Sequence, residues 1–324
     1  MQTVAIVGAS GYVGRHLVAE LLQSRGCRVR VLSRTGQWNP QNDLPYGVEV
    51  QVFKGNLSEP ASLQSFLDST CTVVNLVYLW NVGESENLKV AANLLSACRQ
   101  ANIQRLIHCS TAAVVGRAGS DIVTENTPCR PATQYGITKL KIENLVASSA
   151  ADHFDSAILR PTSVFGPNGN PLQKLNDNLT SGSRCRNYLK SCLFGKRQMN
   201  LVHVSNVVAA IAYLINRERA LYGEVFNVSD DDDPLNNFFD VENILMRELR
   251  LPRYGLPRIP LPAALLSWIL WGLGRNIINP HCKFSPRKLL DMGYRRPTKL
   301  EAGLVEYARW YRTAYPESFA TNHT

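Results

Sequence analysis

The sequence predicts an α/β fold: a doubly wound parallel sheet with helices on both faces and a smaller C-terminal lobe. Three observations carry this reading. Short β-branched runs alternate with longer amphipathic stretches from residue 3 to about 165, and that rhythm implies right-handed βαβ crossovers. A glycine-rich turn, Gly8-Ala9-Ser10-Gly11-Tyr12-Val13-Gly14, separates the first strand from the first helix. After residue 166 the rhythm breaks into Gly-, Asn- and Pro-rich loops, which marks the start of a second unit.

In order, strands are expected at 3–7, 29–32, 48–53, 72–76, 105–108 and 156–159, and helices at 14–25, 61–67, 88–101 and 135–150. A helix over 204–215 and a strand over 224–228 finish the sheet, and a last helix spans 300–311. The sheet unit is therefore 1–165, completed by about 200–228, and the lobe is 166–199 with 229–324. The 324 residues, 45% of them hydrophobic, suffice for one large core and an appended lobe. A ligand cleft is expected between the two, at the carboxyl ends of the strands. Residues 230–233 read as a short acidic turn ahead of Pro234.

Composition excludes several classes. The eight cysteines never fall in a C-x-x-C spacing, so they read as reduced thiols rather than a disulfide framework or a metal site. Met1 leads directly into an apolar strand with neither the basic flank nor the cleavage site of a signal peptide, and a cytoplasmic location is expected. The apolar stretch 261–273 is shorter than the roughly 20 residues of a membrane-spanning helix. It reads as a core or interface helix, the alternative being a weak contact with a membrane surface. The net charge of +9 gathers in clusters around Arg184 and Arg186, Lys196 and Arg197, 250–258, and Arg295 and Arg296. Such a surface attracts anions. No helix-turn-helix or RNA-binding signature accompanies it, which favours a phosphorylated small molecule over nucleic acid.

The glycine turn lies where a dinucleotide pyrophosphate binds in a Rossmann-like sheet. Glycines allow the tight turn and the close approach of backbone to phosphate, and the helix N-terminus offers N–H donors and partial positive charge. Gly8, Ser10, Gly11, Tyr12, Val13 and Gly14 are the expected contacts. The second strand ends Val31-Leu32-Ser33-Arg34, without the acid that would bind the ribose hydroxyls of NAD. Arg34 could clamp a 2′-phosphate instead, so NADP is favoured over NAD. Asn56 and Leu57 after the third strand and Leu76 at the end of the fourth join the cofactor set.

Tyr135 and Lys139 stand four residues apart at the start of a helix, hence on one face. An ammonium beside a phenol favours phenolate and is expected to lower a pKa that starts near about 10, making Tyr135 a general base or acid. Upstream, a buried strand runs into Ser110-Thr111. Thr111 would hold the reacting oxygen, with Ser110 as its substitute. His108 and His203 read as structural histidines.

Taken together, these residues resemble the extended short-chain dehydrogenase/reductase superfamily, in the NAD-dependent epimerase/dehydratase branch. The likeness spans nearly the whole chain: the Gly8–Gly11–Gly14 loop, Gly55-Asn56-Leu57, the segment Cys109 to Gly116, Tyr135 with Lys139, the segment Leu159 to Pro167, Leu201 to Val204 and Phe226 to Val228. The resemblance implies that Tyr135 is the acid/base, that Lys139 binds the nicotinamide ribose, that Thr111 partners the substrate oxygen, and that Pro161 and Val164 line the nicotinamide. It also implies a homodimer through the helices near 88–101 and 135–150. Ala112-Ala113 stand where the dehydratases of this branch carry Asp-Glu, so 4,6-dehydration is disfavoured.

The expectation is hydride transfer at a secondary alcohol or ketone carbon, as a 4-keto reductase or 4-epimerase of a nucleotide sugar, with Arg184 and Arg186 gripping the diphosphate. Two alternatives stand beside it: a hydroxysteroid- or flavonoid-type reductase acting on an apolar ketone, and a nucleotide-sensing protein without catalysis.

Overall fold

The computed structural model describes residues 2–24, 26–38, 50–151, 153–259, 262–272 and 279–316. In chain order the elements are β1 (Gln2–Val7), α1 (Tyr12–Ser24), β2 (Cys27–Ser33), β3 (Val50–Lys54), β4 (Cys71–Asn75), α2 (Glu84–Gln100), β5 (Arg105–Cys109), β6 (Ile122–Val123), α3 (Gln134–Ala150), β7 (Asp155–Pro161) and β8 (Ser163–Phe165). There follow α4 (Gln173–Ser181), α5 (Arg184–Phe194), β9 (Leu201–His203), α6 (Val204–Ile215), β10 (Glu224–Val228), α7 (Phe238–Glu248), α8 (Ala263–Gly272), β11 (Lys283–Phe284), α9 (Arg287–Asp291) and α10 (Leu300–Ala314).

Seven strands form one parallel sheet in the order β3-β2-β1-β4-β5-β7-β10. Chain order reverses between β1 and β4, with Val4 pairing Val29 on one side and Thr72 on the other. Residues 3–7 of β1 are all buried, as expected for a parallel strand covered on both faces. On one face, Leu17, Val18, Leu21 and Leu22 of α1 share a core with Val207, Val208, Ile211 and Leu214 of α6. On the other, Val90 and Leu94 of α2 pack with Ile142 and Val146 of α3. A separate cluster beyond the sheet joins Val241 and Leu245 of α7 to Leu304, Tyr307 and Tyr311 of α10.

Four sequence readings are corrected. The helix expected at 61–67 is a single 3-10 turn, Pro60–Leu63. Ser62 bonds the backbone of Asn56 and Glu59 there, a local competition that disfavours a longer helix, while Leu63 and Phe66 still reach the core. The basic residues at 184 and 186 lie on α5 rather than in a loop. The acidic run is no simple turn. Asp230 and Asp231 are buried, Asp230 pairing with Arg296 and Asp231 accepting bonds from Asn200, Asn236 and the Phe284 N–H. Finally, α8 is not a core helix: it buries Leu266 but leaves Trp268 and Trp271 exposed. Of the calls at element edges, Arg25, residues 48 and 49, Leu261 and Leu273 lie outside the described residues. All eight cysteines are free thiols, and no helix among the described residues is long and apolar enough to cross a membrane.

Candidate active site

The glycine turn sits at the carboxyl end of β1, at the point where strand order reverses. A ligand belongs in the crevice that such a reversal opens. Gly8 has φ +88°, and a side chain at Gly14 would bring its Cβ to 2.2 Å from the Gly8 carbonyl oxygen. The turn therefore closes only with glycine at both places, and it closes with the Gly11 N–H on the Gly8 carbonyl at 3.0 Å. A pyrophosphate fits such a cradle, because bare backbone and the first N–H groups of α1 face outward from it. The Tyr12 side chain turns the other way, into the core, its hydroxyl 2.7 Å from where a Cβ on Gly169 would stand.

The residues expected to handle the proton come from two neighbouring elements. Thr133 caps α3 by accepting from the Gly136 N–H at 3.2 Å, which places Tyr135 in the first turn and Lys139 one turn later. Thr111 follows β5, and its hydroxyl accepts from the Ala113 N–H at 3.2 Å. Burial pushes the Tyr135 phenol up to about 12, opposed by a hydrogen bond with Thr111. The lowered phenol expected from the Lys139 charge is thus not what this geometry gives. Lys139 is 3% exposed and donates to the Cys109 carbonyl at 3.0 Å, under the ring of Tyr78. Burial lowers its own pKa.

Sequence reasoning missed an aromatic wall. Tyr78 meets Tyr135 edge-on with centroids 4.8 Å apart, and Trp80 stacks on it at 4.9 Å. Trp80 remains 71% exposed, so it covers the phenol while facing the open side of the site. The wall is held by polar anchors. Asn87 accepts from the Leu79 N–H and donates to the Leu79 carbonyl. Asn75 accepts from the Val77 N–H and meets His108 Nδ1 at 3.2 Å. Glu84, at the start of α2, accepts from Gln134, Thr138 and Lys141 of α3. The sequence signal was the aromatic pair itself, after a strand where Leu76 alone was singled out.

A buried ion pair seats α3. Arg160 of β7 and Glu143 of α3 meet at 2.6 Å with both side chains almost fully buried. His108 is completely buried, which drives its pKa well below the usual value and keeps it neutral. Its Nε2 and the Ser110 hydroxyl have no partner among the described residues. His203 caps α6 by accepting from the Ser205 N–H.

The remaining candidates are scattered. Arg34 is exposed after β2 and makes no hydrogen bond or ion pair among the described residues. Asn56 accepts from the Ser58 N–H, and the Leu57 carbonyl accepts from Asn93. The Leu76 N–H bonds the Val7 carbonyl at 3.0 Å, at the back of the glycine turn. Pro161 ends β7, and Val164 pairs with Val202 in the β8–β9 ribbon. Arg184 donates to the carbonyls of Pro252 and Arg253 and lies over Tyr254, while Arg186 meets Asn178. Lys196, Gln198, Arg258 and His281 instead line a cavity of about 490 Å³ between the elements of the lobe.

Comparison with known proteins fits this arrangement. The profile of the NAD dependent epimerase/dehydratase family matches residues 4–229. The chain belongs to that family. It is an extended short-chain dehydrogenase/reductase and an enzyme of the NAD-dependent epimerase/dehydrogenase type. Mouse (Mus musculus) sterol-4-alpha-carboxylate 3-dehydrogenase, decarboxylating, is 28% identical over 269 residues, covering 78% of this chain and 70% of that one. An uncharacterized UDP-glucose epimerase of Bacillus subtilis (strain 168) is 26% identical over 247 residues, with 69% and 76% covered. Among solved structures, the Thermus thermophilus UDP-glucose 4-epimerase complex with NAD superposes with a TM-score of 0.70 at 21% identity, over 97% of this chain and all of that one. This family member thus shares the Rossmann-like sheet of an epimerase solved with NAD and has a relative named for a sterol acid.

Proposed function

We propose that this protein transfers hydride at a secondary alcohol or ketone carbon of a nucleotide sugar, as a 4-keto reductase or 4-epimerase. The observation that carries the reading is that Tyr135 hydrogen-bonds Thr111 and lies with Lys139 against the ring of Tyr78, which directly follows the Leu76-Val77 pair that abuts Gly8 of the glycine turn. When bound, a nicotinamide dinucleotide supplies the hydride donor or acceptor and, in its oxidised form, a positive ring. Tyr135 takes or gives the hydroxyl proton, Thr111 holds the same oxygen, and Lys139 braces the strand end through Cys109 and would hold the ribose of a bound cofactor. Ala112 and Ala113 offer no carboxylate to expel water, which speaks against dehydration. The Ser110 hydroxyl, buried and without a partner among the described residues, would be a second bond donor for substrate.

Lys196 in the lobe cavity, together with the +9 charge, supports a phosphorylated substrate. Arg34 supports NADP over NAD, and with it the reductase direction, because an epimerase that returns its hydride needs no exchangeable supply. A second reading, reduction of an apolar ketone, is favoured by the Tyr78–Trp80 wall against the catalytic phenol. Titrating the purified protein with NADPH and NADH, then screening UDP- and dTDP-sugars against steroid and isoprenoid ketones, separates them. Turnover confined to the apolar ketones overturns the sugar reading. A homodimer through α2 and α3, which already pack on each other, is expected by light scattering.

A further inference from the structure

Five of the twelve large hydrophobic side chains exposed among the described residues fall between 256 and 271: Leu256 (67%), Ile259 (74%), Leu265 (49%), Trp268 (76%) and Trp271 (58%). Scattered apolar side chains on a surface are ordinary, but so many within one segment of the chain mark a contact. The last three recur at every third position of α8, so they share one side of it, and the two indoles lie 6.4 Å apart. The helix Ala263–Gly272 contains no charged residue. A helix of that composition is normally buried, yet this one is fastened through Leu266 and presents tryptophan to the outside.

Charge identifies what covers it. From Leu249 to Leu290 the chain contains no Asp or Glu, while it carries Arg250, Arg253, Arg258, Arg275, Lys283, Arg287 and Lys288. Arg258 and Lys288 are matched by Glu242 and Glu224. Arg250 and Arg253 are exposed and have no acidic partner among the described residues. An uncharged, indole-bearing face on an acid-free basic segment is complementary to an anionic lipid surface: indoles settle at the headgroup level, apolar side chains enter below it, and arginines meet the phosphates. The ten described residues of the helix rise only about 15 Å, half of the roughly 30 Å hydrocarbon thickness, which suits a helix lying in the interface.

We infer that α8 and the segment leading to it dock this protein on membranes containing anionic lipids. The inference is independent of which substrate the crevice takes. The test is flotation of the full chain with vesicles of phosphatidylcholine alone and of phosphatidylcholine with phosphatidylglycerol, at low and high salt. The protein should float with the anionic vesicles, and less so as salt is raised. Trp268→Ser/Trp271→Ser and, separately, Arg250→Glu/Arg253→Glu should each weaken that binding about tenfold or more, with circular dichroism and the thermal midpoint unchanged. The charge variant retains the apolar face, so it still decides the matter if the tryptophan variant misfolds. Absence of flotation by the unaltered chain overturns the inference, as does equal flotation by the charge variant. A dimer in light scattering that Trp268→Ser/Trp271→Ser disperses, with no vesicle binding, also overturns it and makes α8 a contact between copies.

Discussion

The half of the molecule around the glycine turn and the half around α5, α7 and α8 treat polar groups differently. In the first, they are sunk and fixed: Lys139, Glu143, Arg160, His108 and Asn87 are all buried, and each holds a neighbour of the reacting centre or is held by one. In the second, Ser191 and Glu242 are also buried and bonded to each other, but the outer layer differs: Arg184 lies at the surface over backbone carbonyls and the Tyr254 ring, and Trp268 and Trp271 face outward. Hydride chemistry tolerates little displacement of its groups, and the tied half is the one where the proposed reaction would take place. The relatives of this chain are named for unlike substrates, one a sterol acid and another a UDP-sugar.

The sharpest way to break this comparison is Tyr135→Phe, which should cost about 10²- to 10⁴-fold in kcat while nicotinamide binding, followed by protein fluorescence, is kept. A loss of cofactor binding in step with turnover would make the residue structural. Next in size is Arg160→Leu, which strands the Glu143 carboxylate in the core. Denaturant unfolding should show about 3–5 kcal/mol of lost stability, and Glu143→Leu added to it should recover much of that loss. If Arg160→Leu leaves the midpoint in place, the tied half is not tied through this pair.

With the phenol at about 12, the base form is scarce at neutral pH and grows as pH rises. Alcohol oxidation should therefore gain about tenfold in kcat/KM per pH unit across the neutral to mildly alkaline range, whereas ketone reduction, which uses the protonated phenol, should stay flat there. A plateau in oxidation near neutrality would show that the site lowers the phenol after all. Arg34→Ala should weaken NADPH binding about tenfold or more, the scale of a lost charge-assisted contact, and leave NADH unchanged. The smallest effect expected is from Trp80→Ala. Loss of one stacked pair is worth about 0.5–1.5 kcal/mol, to be read as a KM rise of up to about tenfold with kcat preserved.

Much of the crevice was legible because its signals are local. A strand, a glycine turn and a helix are adjacent in the chain, and Tyr135 and Lys139 are one helical turn apart, so spacing alone carries them to one face. The aromatic wall was not, since Tyr78 and Trp80 reach Tyr135 only after β4 and α3 are brought together by α2 and Glu84. The turn at 60–63 was misread because Leu63 and Phe66 repeat at a helical spacing that one short turn also satisfies.

The sequence by itself determined the sheet, its crossovers and the order of motifs along it, because hydrophobic period and glycine placement act within a few residues. Only the tertiary structure decided that Lys139 faces the Cys109 carbonyl, that the phenol is raised rather than lowered, and that α8 carries its tryptophans outward. Each of these depends on which distant surfaces exclude water from a group, and burial is a property of the packed molecule, not of the segment that supplies the side chain.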